Sequence, residues 1–196
     1  IATNTMRYKV STANQSYTAE VAGAYETGDR SSTITVTSNG LTFNEGAISQ
    51  VVDGLNGTQY QDGSRFVFAV QTPSAGAYLR FQHTTAKTFN EVKWYGSSSA
   101  NGVWKWQGSN DGSTFTDIGS SFTLQSGTGW TGFVATTIQT QTTMSANTTA
   151  YTYYQLTWVS GALNGADYQA EVEFKTAAVP DSGKQTRVHA TSLAWA

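Results

Sequence analysis

Cysteine is absent from the 196-residue chain, which excludes disulfides, thiolate metal ligands and a thiol nucleophile. It does not fix the compartment. Imidazole is nearly absent too: His83 and His189 lie far apart, and without a His-x-x-x-His spacing a zinc site has no basis. Charge is scarce, since Asp, Glu, Lys and Arg make up 12% of residues, about half the roughly 25% usual in globular proteins. Thr, Ser, Gly, Asn and Gln fill the gap, so the chain is polar without the charge repulsion that drives disorder. A net charge of −2 offers no electrostatic footing for nucleic acid or an anionic membrane. No apolar run approaches the ~18 residues of a membrane span, and no basic-then-apolar leader is visible. A soluble chain without membrane insertion is expected. It opens on Ile1-Ala2-Thr3 rather than Met, which reads as a processed or trimmed start.

What is present is a hydrophobic content of 38%, enough for one substantial core. Helical periodicity is nearly missing, whereas short alternating runs recur. Strands are predicted at Met6–Val10, Ser32–Ser38, Arg65–Gln71, Tyr78–Gln82, Asn90–Gly96, Val103–Gly108, Phe115–Ile118, Gly132–Thr137, Thr152–Ser160 and Asp167–Lys175. Turn clusters such as Ser38-Asn39-Gly40, Asp53-Gly54 and Asn110-Asp111-Gly112 separate them. That pattern means an all-β sandwich or barrel. Parity then sorts the aromatics: Val92 with Trp94, Trp104 with Trp106, and Tyr154 with Leu156 and Trp158 each share a strand face. These rings are expected in the core.

In the middle of the chain "KWQGSNDGSTF" (Lys105 to Phe115) sets an aromatic strand against a polar knot and a second aromatic. It is preceded by "VVDGLNGTQY" (Val51–Tyr60), "AYLRFQ" and "NEVKWYGSS", and followed by "YYQLTWVSG" and "AEVEFKT". Taken in order over about Ala47 to Thr176, these stretches resemble the discoidin-like domain, or coagulation factor type C domain. That group includes the family 32 carbohydrate-binding modules. The resemblance implies a galactose-binding-domain-like jelly-roll β-sandwich with short terminal extensions. Ser109–Gly112 would be a hairpin, with Gly112 at positive φ and Phe115 pointing back to the core. Two departures stand out: Asn56-Gly57-Thr58 is a residue shorter than the family's loop, and Tyr60 takes the place of its Trp.

The loop Asp53-Gly54-Leu55-Asn56-Gly57-Thr58 is a candidate calcium site. Hard cations take about six to eight oxygens, and a short polar Gly loop can wrap them around one point. By the resemblance Asp53, Asn56, Thr58 and Glu173 would be the donors of a structural Ca²⁺. The alternative is a metal-free turn capped by Asp53. Catalysis has little support; Glu171 and Glu173 share a strand face, but nothing else points to paired acids, and a non-enzyme is expected.

Glycan binding needs an exposed ring for the sugar's apolar face and polar side chains for its hydroxyls. Trp130, flanked by glycines in Gly127–Gly132, is the first candidate, either displayed on a loop or plugging one end of the sandwich. Tyr60, Arg65, Tyr78 and His83 are weaker companions. The expected organisation is an N-terminal docking segment over 1–45, the sandwich over 46–176 and an extension over 177–196. The function expected is a non-catalytic carbohydrate- or receptor-binding adhesion module whose partner is a cell-surface glycan or polysaccharide. Its setting would be a virion, as part of a phage tail, fibre or capsid appendage. Two alternatives stay open: a purely structural virion subunit contacting other structural subunits or copies of itself, and a secreted bacterial module.

Overall fold

The computed structural model describes residues 20–55, 65–96, 100–125, 144, 147–165 and 168–180. The chain divides into two compact units. In the first, Ile1–Ala22 with Ala178–Ala196, strands β1 (Glu20–Val21) and β11 (Val179–Pro180) form a short antiparallel pair. The second unit, Gly23–Ala177, is an antiparallel sandwich with no α-helix among its described residues.

One sheet has the order β3 (Phe43–Gly46), β4 (Phe66–Phe68), β10 (Tyr168–Thr176), β6 (Phe89–Gly96). The other runs β2 (Ile34–Asn39), β5 (Tyr78–Lys87), β9 (Tyr151–Ser160), β7 (Ala100–Ser109), β8 (Thr116–Gln125). The inward positions of both sheets meet in one core, with Trp94, Trp104, Trp106, Phe81, Phe89, Tyr154 and Phe174 fully buried. Burying an indole of about 200 Å² at roughly 25 cal/mol per Å² contributes about 5 kcal/mol before entropy is counted. Trp94, Trp104 and Trp106 are therefore packing residues, as their parity predicts. Trp158, further along the same file, is only partly buried against that core.

The hairpin between β7 and β8 forms where the motif predicts it. Gly112 has φ 69°, and Asp111 Oδ1 accepts from Ser113 N at 2.8 Å and Thr114 N at 2.7 Å. Phe115 differs from the expectation. It faces away from the core, with the Arg80 guanidinium 4.6 Å over its ring, because it shares parity with Asp117 rather than with Ile118. Strand β8 continues to Gln125, past Gly119-Ser120-Ser121, because a register irregularity opposite Trp104–Trp106 and a Gly119 φ of 71° let the chain resume pairing. The predicted strands Met6–Val10 and Gly132–Thr137 lie outside the described residues.

The domain boundary near residue 46 is displaced. Strand β2 lies within the segment 1–45 and β3 begins in it, and both are hydrogen-bonded members of the sheets, so the sandwich unit begins at Gly23. Strand β2 matches the predicted Ser32–Ser38, whereas the signal of β3 was weak because it is short and mostly exposed, and only its pairing with β4 makes it a strand.

Candidate functional site

The outward side of the five-stranded sheet carries an ordered polar lattice. Cross-strand register puts Thr37, Arg80, Gln155, Gln107 and Asp117 in one row over β2, β5, β9, β7 and β8. The neighbouring row holds Asn39, Tyr78, Thr157 and Lys105. Arg80 Nε donates to Gln155 Oε1 at 2.8 Å, and Gln155 Nε2 donates to Thr157 Oγ1 at 2.9 Å. Thr157 Oγ1 donates to Gln107 Oε1 at 2.6 Å, and Gln107 Nε2 to Asp117 Oδ1 at 2.6 Å. Lys105 Nζ closes the row on Asp117 Oδ2 at 2.9 Å, and this bond holds the Asp117 carboxyl below the usual range.

Arg80 is clamped three ways. Its guanidinium lies 4.4 Å over the Tyr78 ring and 4.6 Å over Phe115, and Nη1 donates to Gly112 O at 3.2 Å. The turn chemistry of the β7–β8 hairpin thus fixes a side chain on the sheet face. Beside this lattice an open cleft of about 460 Å³ is lined by Gly76, Lys105, Asp117, Gly119, Ser121 and Thr157 among others. Of these groups only Tyr78 was among the predicted ligand residues. The rest were missed, although strand alternation carries the signal for Arg80, Lys105, Gln107, Gln155 and Thr157, which alternate with the core residues of β5, β7 and β9.

The other predicted residues do not gather there. Arg65 leads into β4 of the opposite sheet, where its Nη2 lies 3.8 Å from Glu45 Oε2. His83 is a correction. It is 2% exposed, on the core side of β5, with ring centroids of Phe89, Tyr154 and Phe174 at 4.9, 5.9 and 5.2 Å. Same-face parity with Leu79 and Phe81 puts it there, so it cannot meet a ligand at the surface. Trp130 and Tyr60 lie outside the described residues.

Of the four expected calcium donors, Asn56 and Thr58 also lie outside the described residues. Asp53 Oδ1 accepts from Leu55 N at 3.0 Å. Glu173 is buried and Oε2 accepts from the Tyr95 hydroxyl at 2.7 Å; burial, then this bond, pushes the phenol pKa up. Its strand neighbour Glu171 is 1% exposed and accepts from Gly54 N at 3.0 Å. The positive charge that these carboxylates require comes from the protein itself. Arg30, 6% exposed, forms an ion pair with Glu171 and lies within electrostatic reach of Glu173, Glu26, Asp29 and Asp53. Burial lowers the guanidinium's pKa and the carboxylates oppose that shift. A divalent cation placed here would face a buried guanidinium, so the described residues do not fit calcium. No group of three or more His, Asp or Glu side chains suited to a metal occurs among the described residues. Glu171 is thus engaged by Arg30 and the Gly54 amide, and Glu173 by the Tyr95 hydroxyl.

No protein-family model matches the chain, and no curated protein sequence matches it. Solved structures do. A truncated AlyQ with CBM32 and alginate lyase domains aligns over 83% of this chain and 36% of its own, with 18% identity and a TM-score of 0.51. The fold is that of a discoidin-like, family 32 carbohydrate-binding module. Two further similar structures are the AlyQ module in complex with 4,5-unsaturated mannuronic acid and a family 32 module of a family 31 glycoside hydrolase bound to GalNAc. The first has 18% identity, coverage of 72% of this chain and 94% of its own, and a TM-score of 0.47. The second has 14% identity, coverage of 72% and 95%, and a TM-score of 0.47. Among the described residues no helix is long and apolar enough to cross a membrane.

Proposed function

We propose that this discoidin-like sandwich is a non-catalytic carbohydrate-binding module. The observation that carries the reading is the polar lattice beside an open cleft on the five-stranded sheet. Guanidinium, amide and carboxylate groups present paired donors and acceptors in fixed planes, which suits the vicinal hydroxyls of a sugar. Their mutual hydrogen bonds hold the rotamers before binding, which lowers the ordering cost. A cleft near 460 Å³ lies within the roughly 300–1,000 Å³ of small-ligand sites. In this reading Tyr78 offers a ring for an apolar sugar face, and Trp130 is the further ring to be tested. The carbohydrate-binding character of proteins with this fold supports the assignment.

The test is a glycan array followed by calorimetry on the parent, Gln107→Ala and Trp130→Ala proteins. The expected result is binding of a polysaccharide or oligosaccharide, weakened about tenfold or more by Gln107→Ala, as loss of about 1.4 kcal/mol requires. A folded protein that binds no glycan overturns the function. Binding that survives Gln107→Ala and vanishes in Trp130→Ala moves the site off the sheet face.

For setting, we propose an extracellular adhesion role, on a virion appendage such as a phage tail or fibre or on a secreted protein. The support is compositional: 12% charge, with Thr, Ser, Asn and Gly in its place. Light scattering checks the virion form, for which self-association is expected; a strict monomer favours the secreted module.

A further inference from the structure

We propose that Arg30 is a built-in cation, seated where β10 meets the 53–54 turn and taking over the structural role of a bound divalent metal. This goes beyond glycan binding and does not depend on it. The seat is made from three parts of the chain. Strand β10 supplies Glu171, with Glu173 two residues along the same strand within electrostatic reach of the guanidinium; turn 53–54 supplies the Gly54 amide that donates to Glu171, and the strap Gly28-Asp29-Arg30 supplies the charge.

The strap is locked at every step. Asp29 Oδ1 accepts from Ser31 N at 2.9 Å and Ser31 Oγ at 2.7 Å, closing a local turn. Arg30 N donates to Val52 O at 2.8 Å, and Arg30 O accepts from Thr33 N at 2.9 Å and Ile34 N at 2.8 Å. Arg30 Nε donates to Gly28 O at 3.1 Å, which bends the side chain back toward its own turn. Gly54, at φ 83°, comes so close that a Cβ there would lie 2.4 Å from Gly28 C and 2.5 Å from Asp29 N. The strap is therefore pressed onto the turn, with the guanidinium directed at the buried carboxylates.

A bound metal in such a place ties a loop to a strand by compensating carboxylates that burial would otherwise penalise. Arg30 does the same with a covalently tethered charge. Two consequences separate this from an ordinary ion pair. The parent fold is independent of metal, and removing the guanidinium leaves an excess of buried carboxylate that favours an external cation.

The experiment is thermal unfolding of the full chain in 5 mM CaCl₂ (a roughly millimolar probe, above weak extracellular-type affinities) and in chelator. The parent and the variants Arg30→Ala and Arg30→Ala with Glu173→Gln are compared. The parent's Tm is expected to be equal in both buffers. Arg30→Ala is expected to fall by on the order of 10 °C in chelator and to recover part of that loss in calcium. The added Glu173→Gln change is expected to abolish the recovery. A parent whose Tm drops in chelator or rises in calcium overturns the proposal, and so does a folded Arg30→Ala protein that calcium leaves unchanged. If Arg30→Ala does not fold in chelator, its refolding on calcium addition is the supporting outcome and failure to refold is the opposing one.

Discussion

Replacing His83 by Phe should flatten the acid limb of this protein's stability. The imidazole is 2% exposed, is packed among Phe89, Tyr154 and Phe174, and has no hydrogen-bond partner for either nitrogen among the described residues. Burial, reinforced by the positive charges of Lys87 and Arg30, pushes its pKa down to about 3 from an ordinary 6.5. Between those two values the unfolded chain binds the proton and the folded chain does not. Stability must therefore fall as pH falls through that window, with the neutral folded state uncompromised above it. Each pH unit well below 6.5 is worth about 1.4 kcal/mol, and with the unfolded imidazole half protonated at 6.5, lowering pH from 6.5 to 4.5 should cost about 2.3 kcal/mol. Phe fills the same aromatic space and cannot titrate. Urea unfolding of parent and His83→Phe proteins at pH 7.5, 6.5, 5.5 and 4.5 gives the assay. Carboxylate contributions are common to both and cancel in the difference. The gap between the two proteins should widen by about 2.3 kcal/mol from pH 6.5 to 4.5. Parallel stability curves would refute a neutral, buried His83.

Two local predictions follow from turns. Asp111→Ala should lower the Tm, because Asp111 Oδ1 accepts from Thr114 N and Ser113 N and those bonds hold its pKa below the ordinary 3.8. A depressed carboxylate stabilises above its unfolded pKa, so the parent-variant Tm difference should be constant from pH 8 to 5 and shrink only in strong acid; a difference that vanishes at neutral pH would contradict this. Gly54→Ala should cost about 2–4 kcal/mol, from positive φ and a backbone clash, read as a lower urea midpoint. An unchanged midpoint would mean that the 28–30 strap is not pressed onto the turn.

The residue pattern was informative wherever the physics is local. Alternation in β7 and β9 identified Trp104, Trp106, Tyr154 and Leu156 as core, since successive side chains of a strand must take opposite faces. The turn residues Ser109–Gly112 specified a hairpin, because Asp111 satisfies nearby amides and Gly112 adopts φ 69° without strain. The same alternation, applied to His83, would have placed it inward with Leu79 and Phe81; its polarity argued for the surface, and sheet packing overrode it.

Other features depend on which strands become neighbours, and no local pattern carries that. Arg80, Gln155, Gln107 and Asp117 become one hydrogen-bonded row only because β5, β9, β7 and β8 lie side by side in this register, though 75 residues separate Arg80 from Gln155. Arg30 lies in a segment expected to stand outside the sandwich, and its partner Glu171 is on the last strand of the sandwich. Composition and alternation thus determined an all-β sandwich and most of its core. Tertiary structure alone decided which polar groups share a face and which cation neutralises the buried acids, because both depend on pairings between distant parts of the chain.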